Sequence, residues 1–123
     1  MTVEAHLLVV DDEPSVARFL KELLESRGFV VTIMNDSEAA LAFFSLHSDS
    51  IDAVITDQTM PGLTGVELSK ALIAIRSDIP IILCTGYSEK ADEEQARELG
   101  VRKLLNKPVN HDLLLSEISR LLA

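Results

Sequence analysis

Five short apolar runs recur along the chain: His6 to Val10, Val30 to Met34, Ala53 to Thr56, Ile81 to Cys84 and Lys103 to Asn106, each bounded by turn-forming residues. They are continuous rather than alternating, the pattern of strands covered on both faces, as in a parallel sheet. Helical periodicity fills the intervals. On a wheel from Val16, the residues Val16, Ala17, Phe19, Leu20, Leu23 and Leu24 occupy an arc of roughly 160°, with Arg18, Lys21, Glu22 and Glu25 opposite. Pro14 in the first turn and Gly28 just past the end punctuate this helix. Asp36 or Ser37 is suited to cap a second helix with Ala39 to Leu46 as its body, and Gly65 to Ile75 gives a third. Asn110 or Asp112 begins a last helix ending near Leu122. The segment Ser88 to Leu99 is helix-prone but offers only Ala91, Ala96 and Leu99 as apolar contacts, which predicts the least firmly packed helix. Strand and helix thus alternate five times. That alternation predicts an α/β domain with a parallel sheet and right-handed crossovers.

The 123 residues, 47% of them apolar, suffice for one domain over 1–123 and not for two. With 11 Lys and Arg against 20 Asp and Glu, the formal charge of -9 repels phosphate backbones and argues against nucleic acid as a direct partner. Cys84, the one cysteine, sits in an apolar run and reads as a small buried hydrophobe; no disulfide framework is possible within the chain. No apolar run approaches the ~18 residues that span a bilayer, and MTVEAHLLVV has no basic segment ahead of its apolar stretch. The expectation is a soluble, cytoplasmic domain without membrane insertion.

In an open parallel sheet, ligands bind outside the carboxyl ends of the strands. Strand one ends in Asp11 and Asp12, strand three in Asp57 and strand four in Thr85, and strand five is followed by Lys107. All five side chains fall at the same end of the sheet. Three carboxylates that close repel one another and push at least one pKa upward, a conflict that a bound cation removes. Magnesium suits the set, as a hard ion that binds one or two carboxylates plus a phosphate oxygen. Lys107 is then placed to hold a second anion, and a phosphoryl group fits. Thr85 offers a hydroxyl donor, and a carboxylate can itself accept phosphorus as an acyl phosphate. Asp57 stands alone while Asp11 and Asp12 are paired, which makes Asp57 the natural nucleophile. Taken singly, Asp11 and Asp12 read equally well as helix caps, Asp57 with Met60-Pro61-Gly62 as a turn, and Lys107 as a surface lysine. Their joint occurrence at one end of the sheet favours a site.

In order and spacing, LLVVDDEPS, VITDQTMPGLTG, ILCTGYS and LLNKPV make the whole chain resemble the receiver domain of two-component response regulators. The resemblance implies a doubly wound, five-stranded parallel sheet in the order 2-1-3-4-5 with five helices, the flavodoxin- and CheY-like arrangement. It implies that Asp57 accepts a phosphoryl group from a phosphohistidine on a histidine kinase or histidine phosphotransfer domain. Asp11 and Asp12 match the acidic pair that binds Mg2+ with Asp57, and Thr59 matches the position whose backbone carbonyl completes the metal shell. Thr85 matches the switch hydroxyl and Lys107 the family lysine, whose bond to Pro108 is usually cis. The donor is expected to dock near the first helix and the site loops. Phosphorylation is expected to shift a surface around the fourth helix and fifth strand toward a downstream output protein or domain. As an isolated domain the chain is expected not to be an enzyme, beyond promoting its own phosphorylation and dephosphorylation. TGYS is similar to receivers attached to hybrid histidine kinases.

One position departs from the family. Three residues before the lysine the family usually carries Tyr or Phe, a ring that swings inward on activation; here Leu104 stands there. Tyr87, two beyond Thr85, is placed to shield the phosphoryl group or to serve as the mobile aromatic instead.

Other functions fit less well. An aspartyl-nucleophile phosphohydrolase carries its nucleophile and acid one residue apart after the first strand, with a cap; here Asp11 and Asp12 are adjacent and no cap insertion exists. A mononucleotide site wants a glycine-rich first loop, and DDEPS has no glycine. A receiver-like module that is never phosphorylated would not need the full set Asp11, Asp12, Asp57, Thr85 and Lys107. His6, His47 and His111 share no metal-ligand spacing and read as structural or solvated. Leu113 falls off the stripe of Leu114, Leu115, Ile118, Leu121 and Leu122 and is free to touch a partner.

Overall fold

The computed structural model describes residues 4–86 and 90–123. Strands β1 (His6–Val10), β2 (Val30–Met34), β3 (Ala53–Asp57), β4 (Ile81–Thr85) and β5 (Lys103–Asn106) alternate with helices α1 (Pro14–Glu25), α2 (Ser37–His47), α3 (Gly65–Ile75), α4 (Lys90–Leu99) and α5 (His111–Leu122). The strands form one parallel sheet in the order β2-β1-β3-β4-β5, as the resemblance implies. Central strands β3 and β4 are buried along their whole length, which explains their unbroken apolar sequences.

Successive side chains leave a strand on opposite faces, so each strand feeds two cores. Leu8, Val10, Val54, Ile81 and Leu83 meet Phe44 of α2, Leu68 and Leu72 of α3 and Ala96 of α4 on one face. Leu7, Val9, Ile55, Ile82 and Leu105 meet Leu20 and Leu24 of α1 and Leu114 and Ile118 of α5 on the other. A fully buried aliphatic side chain of this kind contributes about 1.5–3 kcal/mol. The two layers of helices hold the strand ends rigidly between them. Among the described residues no helix is long and apolar enough to cross a membrane.

Local signals account for the helix ends. Asp36 caps α2 by accepting from Glu38 N at 3.1 Å, and Asn110 caps α5 by accepting from Leu113 N at 3.0 Å. Pro14 opens α1, and Gly28 follows it with φ +92°. In α4 Ala96 is fully buried and Leu99 half-buried; residues 88 and 89 of the expected helix lie outside the described residues.

β3 and β4 end at Asp57 and Thr85, the residues at which the sequence ends those strands. The structure departs from the sequence pattern at two places. On α1, Ala17, Leu20 and Leu24 are buried but Val16 is 38% and Phe19 49% exposed: the apolar arc is wider than the sheet that covers it. On α5, Glu117 is buried beside the apolar stripe, while Leu113 is exposed as expected.

Candidate functional site

β1 delivers Asp11 and Asp12 to the carboxyl end of the sheet, and the backbone there is fixed from three sides. Asp11 N donates to Met34 O at 3.1 Å, Asn35 Nδ2 donates to Asp11 O at 3.0 Å, and Glu13 N donates to Asp11 Oδ1 at 2.9 Å. β3 delivers Asp57, whose neighbour Gln58 donates its N–H to Cys84 O on β4 at 3.0 Å. Oxygens of Asp11, Asp12 and Asp57 lie within 4.8 Å of one another, the one such grouping of acidic, His or Cys side chains among the described residues. Asp11 and Asp57 are buried and Asp12 is half-buried.

Lys107 completes the cluster. Its backbone N–H donates to Thr85 O at 2.8 Å, its bond to Pro108 is cis, and its ammonium forms an ion pair with Asp57 Oδ1. Burial works against the charged ammonium, but the hydrogen bond and charge of Asp57, with the charge of Asp11, outweigh it and raise the Lys107 pKa. Burial also pushes the Asp11 pKa up; the Glu13 N–H opposes that rise, while the charges of Asp57 and Asp12 add to it and Lys107 partly offsets them. One ammonium is thus set among three carboxylates. Asp57 Oδ1 is sealed from solvent and meets the Lys107 ammonium, and a carboxylate's remaining lone pairs leave capacity for a cation. A hard divalent cation fits this donor set, which is all oxygen and two positive charges short.

Residues to which the sequence reading gave no part in the site hold the loop after Asp57. Gln58 is buried, accepts from Gly65 N at 2.9 Å through its carbonyl, and accepts from Val66 N at 2.8 Å through Oε1. Ser37 Oγ donates to Pro61 O at 3.3 Å and accepts from Leu63 N at 3.0 Å, tying the loop to α2. Thr64 and Glu67 form a reciprocal capping box at the start of α3, legible as Thr-x-x-Glu. Thr59, the expected carbonyl ligand, lies exposed in this loop. Thr85 is fully buried, and its hydroxyl donates to Asn106 Oδ1 at 3.4 Å. Leu104 is half-buried against the α2–α3–α4 core; Tyr87 lies outside the described residues.

The histidines fall outside this cluster. His6 Nε2 bonds Thr32 Oγ1 at 2.7 Å, and His47 and His111 lie against Phe43 and Phe19, with ring centroids 4.5 and 4.9 Å apart. Asp11, Asp57 and Lys107 line a cavity of about 400 Å3 that extends between α1 and the start of α5, with Val16, Phe19, Val109 and His111 also on its wall.

Residues 7–119 match the response regulator receiver domain. The chain belongs to that family. This receiver domain is 37% identical over 118 residues to the transcriptional regulatory protein FixJ of Bradyrhizobium diazoefficiens, covering 96% of this chain and 57% of FixJ. It therefore spans about half the length of the curated relatives it matches. A receiver domain protein from Clostridium thermocellum superimposes with a TM-score of 0.93 at 32% identity, over 96% of this chain and 94% of that one. The signal receiver domain of a histidine kinase from Syntrophus aciditrophicus superimposes with a TM-score of 0.86, also at 32% identity, over 96% and 89%. The strand order and the whole-chain resemblance read from the four motifs agree with these likenesses.

Proposed function

We propose that this receiver domain is the phosphoacceptor of a two-component phosphorelay, taking a phosphoryl group from a phosphohistidine onto Asp57. The observation that carries this reading is the ion pair of Lys107 with Asp57 inside a cluster of three carboxylates. A free carboxylate oxygen of Asp57 attacks phosphorus; the P–O bond forms as the P–N bond breaks, and the imidazole leaves with the electron pair and recovers a proton from solvent. Rigid placement at a strand end aligns the attacking oxygen. Lys107 neutralises charge on the phosphoryl oxygens, and Thr85 supplies a hydroxyl donor to one of them. Asp11, Asp12, Asp57 and the backbone carbonyl of Thr59 would hold Mg2+, which when bound supplies further neutralisation of phosphoryl charge. The product carries about -1.5 to -2 of new charge at the sheet end, the stimulus for switching.

Donor and output follow the same logic. The exposed apolar residues Val16 and Phe19 border the site and suit contact with a histidine kinase or histidine phosphotransfer domain. The output partner is a further protein or domain that reads the surface of α4 and β5, and the domain alone turns over no other substrate. The likeness to a histidine kinase's receiver supports a hybrid kinase as one parent, as FixJ supports a transcriptional regulator.

Incubation with acetyl phosphate, with and without magnesium, tests the reading by intact mass. One adduct of about 80 Da, a phosphoryl group replacing a proton, is expected, dependent on magnesium, labile to hydroxylamine and absent in Asp57→Asn. An adduct retained in Asp57→Asn, or none in the wild type, overturns it.

A further inference from the structure

Thr85 ends β4 fully buried, and its hydroxyl is held by Asn106, its register partner at the end of β5. At 3.4 Å this bond is long, since O–H···O bonds usually lie within about 2.5–3.0 Å, and both partners are neutral. The backbone of Thr85 is by contrast firmly placed, because its carbonyl accepts from Lys107 N at 2.8 Å. A fixed residue with a loosely held hydroxyl is suited to exchange partners without moving its strand. Asp57 pairs in register with Cys84, the residue before Thr85, so a phosphoryl group on Asp57 would project beyond the strand ends where Thr85 stands.

Resting on the reading of Asp57 as phosphoacceptor, we propose that Asn106 is a positioning residue: it holds the Thr85 hydroxyl toward β5 until phosphoryl oxygens compete it away. A buried hydroxyl is costly to leave unbonded, so the exchange has two positions and no stable intermediate. Bonds to a charged acceptor are about twice as strong as neutral ones, which gives the phosphorylated state the stronger claim. Asn106 is exposed, so its released amide is taken up by water. Leu104 and Asn106 leave β5 on the same face, the face where Leu104 packs toward α2, α3 and α4. The exchange therefore marks the surface where the family's aromatic ring would have moved, and it does so without a ring.

The test follows the Thr85 methyl resonance, before and after acetyl phosphate with magnesium, in wild type, Asn106→Leu and Asn106→Asp. Leucine removes the acceptor at similar volume. Its Thr85 methyl should lie shifted toward the phosphorylated position before any phosphate is added, and acceptance should rise about two- to tenfold, the worth of one neutral hydrogen bond. Aspartate is a stronger acceptor, so its Thr85 methyl should stay at or beyond the unphosphorylated position and respond less to phosphorylation. A merely structural role for Asn106 would move both variants the same way, and that result overturns the proposal. So does a Thr85 methyl indifferent to Asn106→Leu in a domain that does accept phosphate. If the wild type forms no adduct, the phosphoacceptor reading falls and this exchange falls with it.

Discussion

A methyl group placed on Gly65 would overlap the carbonyl oxygen of Asp57 and lie 2.9 Å from the Cα of Gln58. The first turn of α3 therefore rests directly on the backbone that carries the proposed phosphoacceptor, Asp57. Glycine is needed there for space rather than for an unusual backbone angle, and two of the atoms it touches are main chain, which cannot swing aside.

Gly65→Ala should accordingly strain the end of β3. Overpacking of this kind costs about 1–3 kcal/mol. The expected result is a lower urea midpoint at unchanged m-value, together with slower formation of the acetyl phosphate adduct, because the shift falls on Asp57 and Gln58. Wild-type midpoint and rate in the alanine variant would show that α3 simply moves away.

Glu117 offers a test of stability away from the site. Its carboxylate is buried, 3.7 Å from Lys103 Nζ and 3.6 Å from Arg120 Nη1, and Arg120 is 77% exposed and thus well screened. Lys103→Met leaves a buried charge with only that screened partner and should cost about 2 kcal/mol. Glu117→Gln should cost less, and the double variant should recover part of the loss. Additive losses in a double-mutant cycle would mean that Lys103 and Glu117 are uncoupled.

What the sequence disclosed, and what it hid, divides along the range of the interactions. Asp57 and Thr85 were legible because each ends an apolar run, and Asn110 because capping is local. Gln58 was not, since its work is to accept from Val66 across a folded loop, and a glutamine beside an aspartate reads as solvated. Ser37 and Asn35 were hidden for the same reason: their partners lie 26 and 24 residues away. Val16 and Phe19 show a different limit. Periodicity gives the width of an apolar face, but only the sheet beneath decides how much of it is covered.

Cys84 should be chemically silent in the folded domain. Burial pushes its thiol up to about 12, the charge of Asp57 adds to the shift and Lys107 opposes it. At pH 8 the thiolate fraction is about one in ten thousand, so a thiol-reactive disulfide should label the protein only through unfolding. One thiol per chain should appear at once in urea. The raised pKa also contributes stability that is present below 9.0 and lost as pH rises toward 12. Rapid stoichiometric labelling of native protein would contradict the burial.

Asp11 makes the metal-free domain sensitive to acid in an unusual direction. Its pKa is raised in the folded state, first by burial and then by the neighbouring charges of Asp57 and Asp12 against the Glu13 N–H and Lys107. For a raised acid, the stabilising contribution is fully present below the unfolded value of 3.8 and is lost as pH rises through the higher folded value. At neutral pH, then, ionised Asp11 opposes folding. Asp11→Asn keeps an oxygen to accept from Glu13 N while removing the charge, so without divalent cation it should melt higher than wild type at pH 7. That advantage should shrink as pH falls and vanish below about 3.8, where Asp11 is protonated in both states. Added magnesium should raise the wild-type melting temperature at pH 7 and leave Asp11→Asn nearly unmoved, since one of its carboxylate ligands is gone. Thermal melts of both proteins across this pH range, with and without the ion, measure all three effects. A variant less stable than wild type at neutral pH would place the strain of this cluster somewhere other than in Asp11.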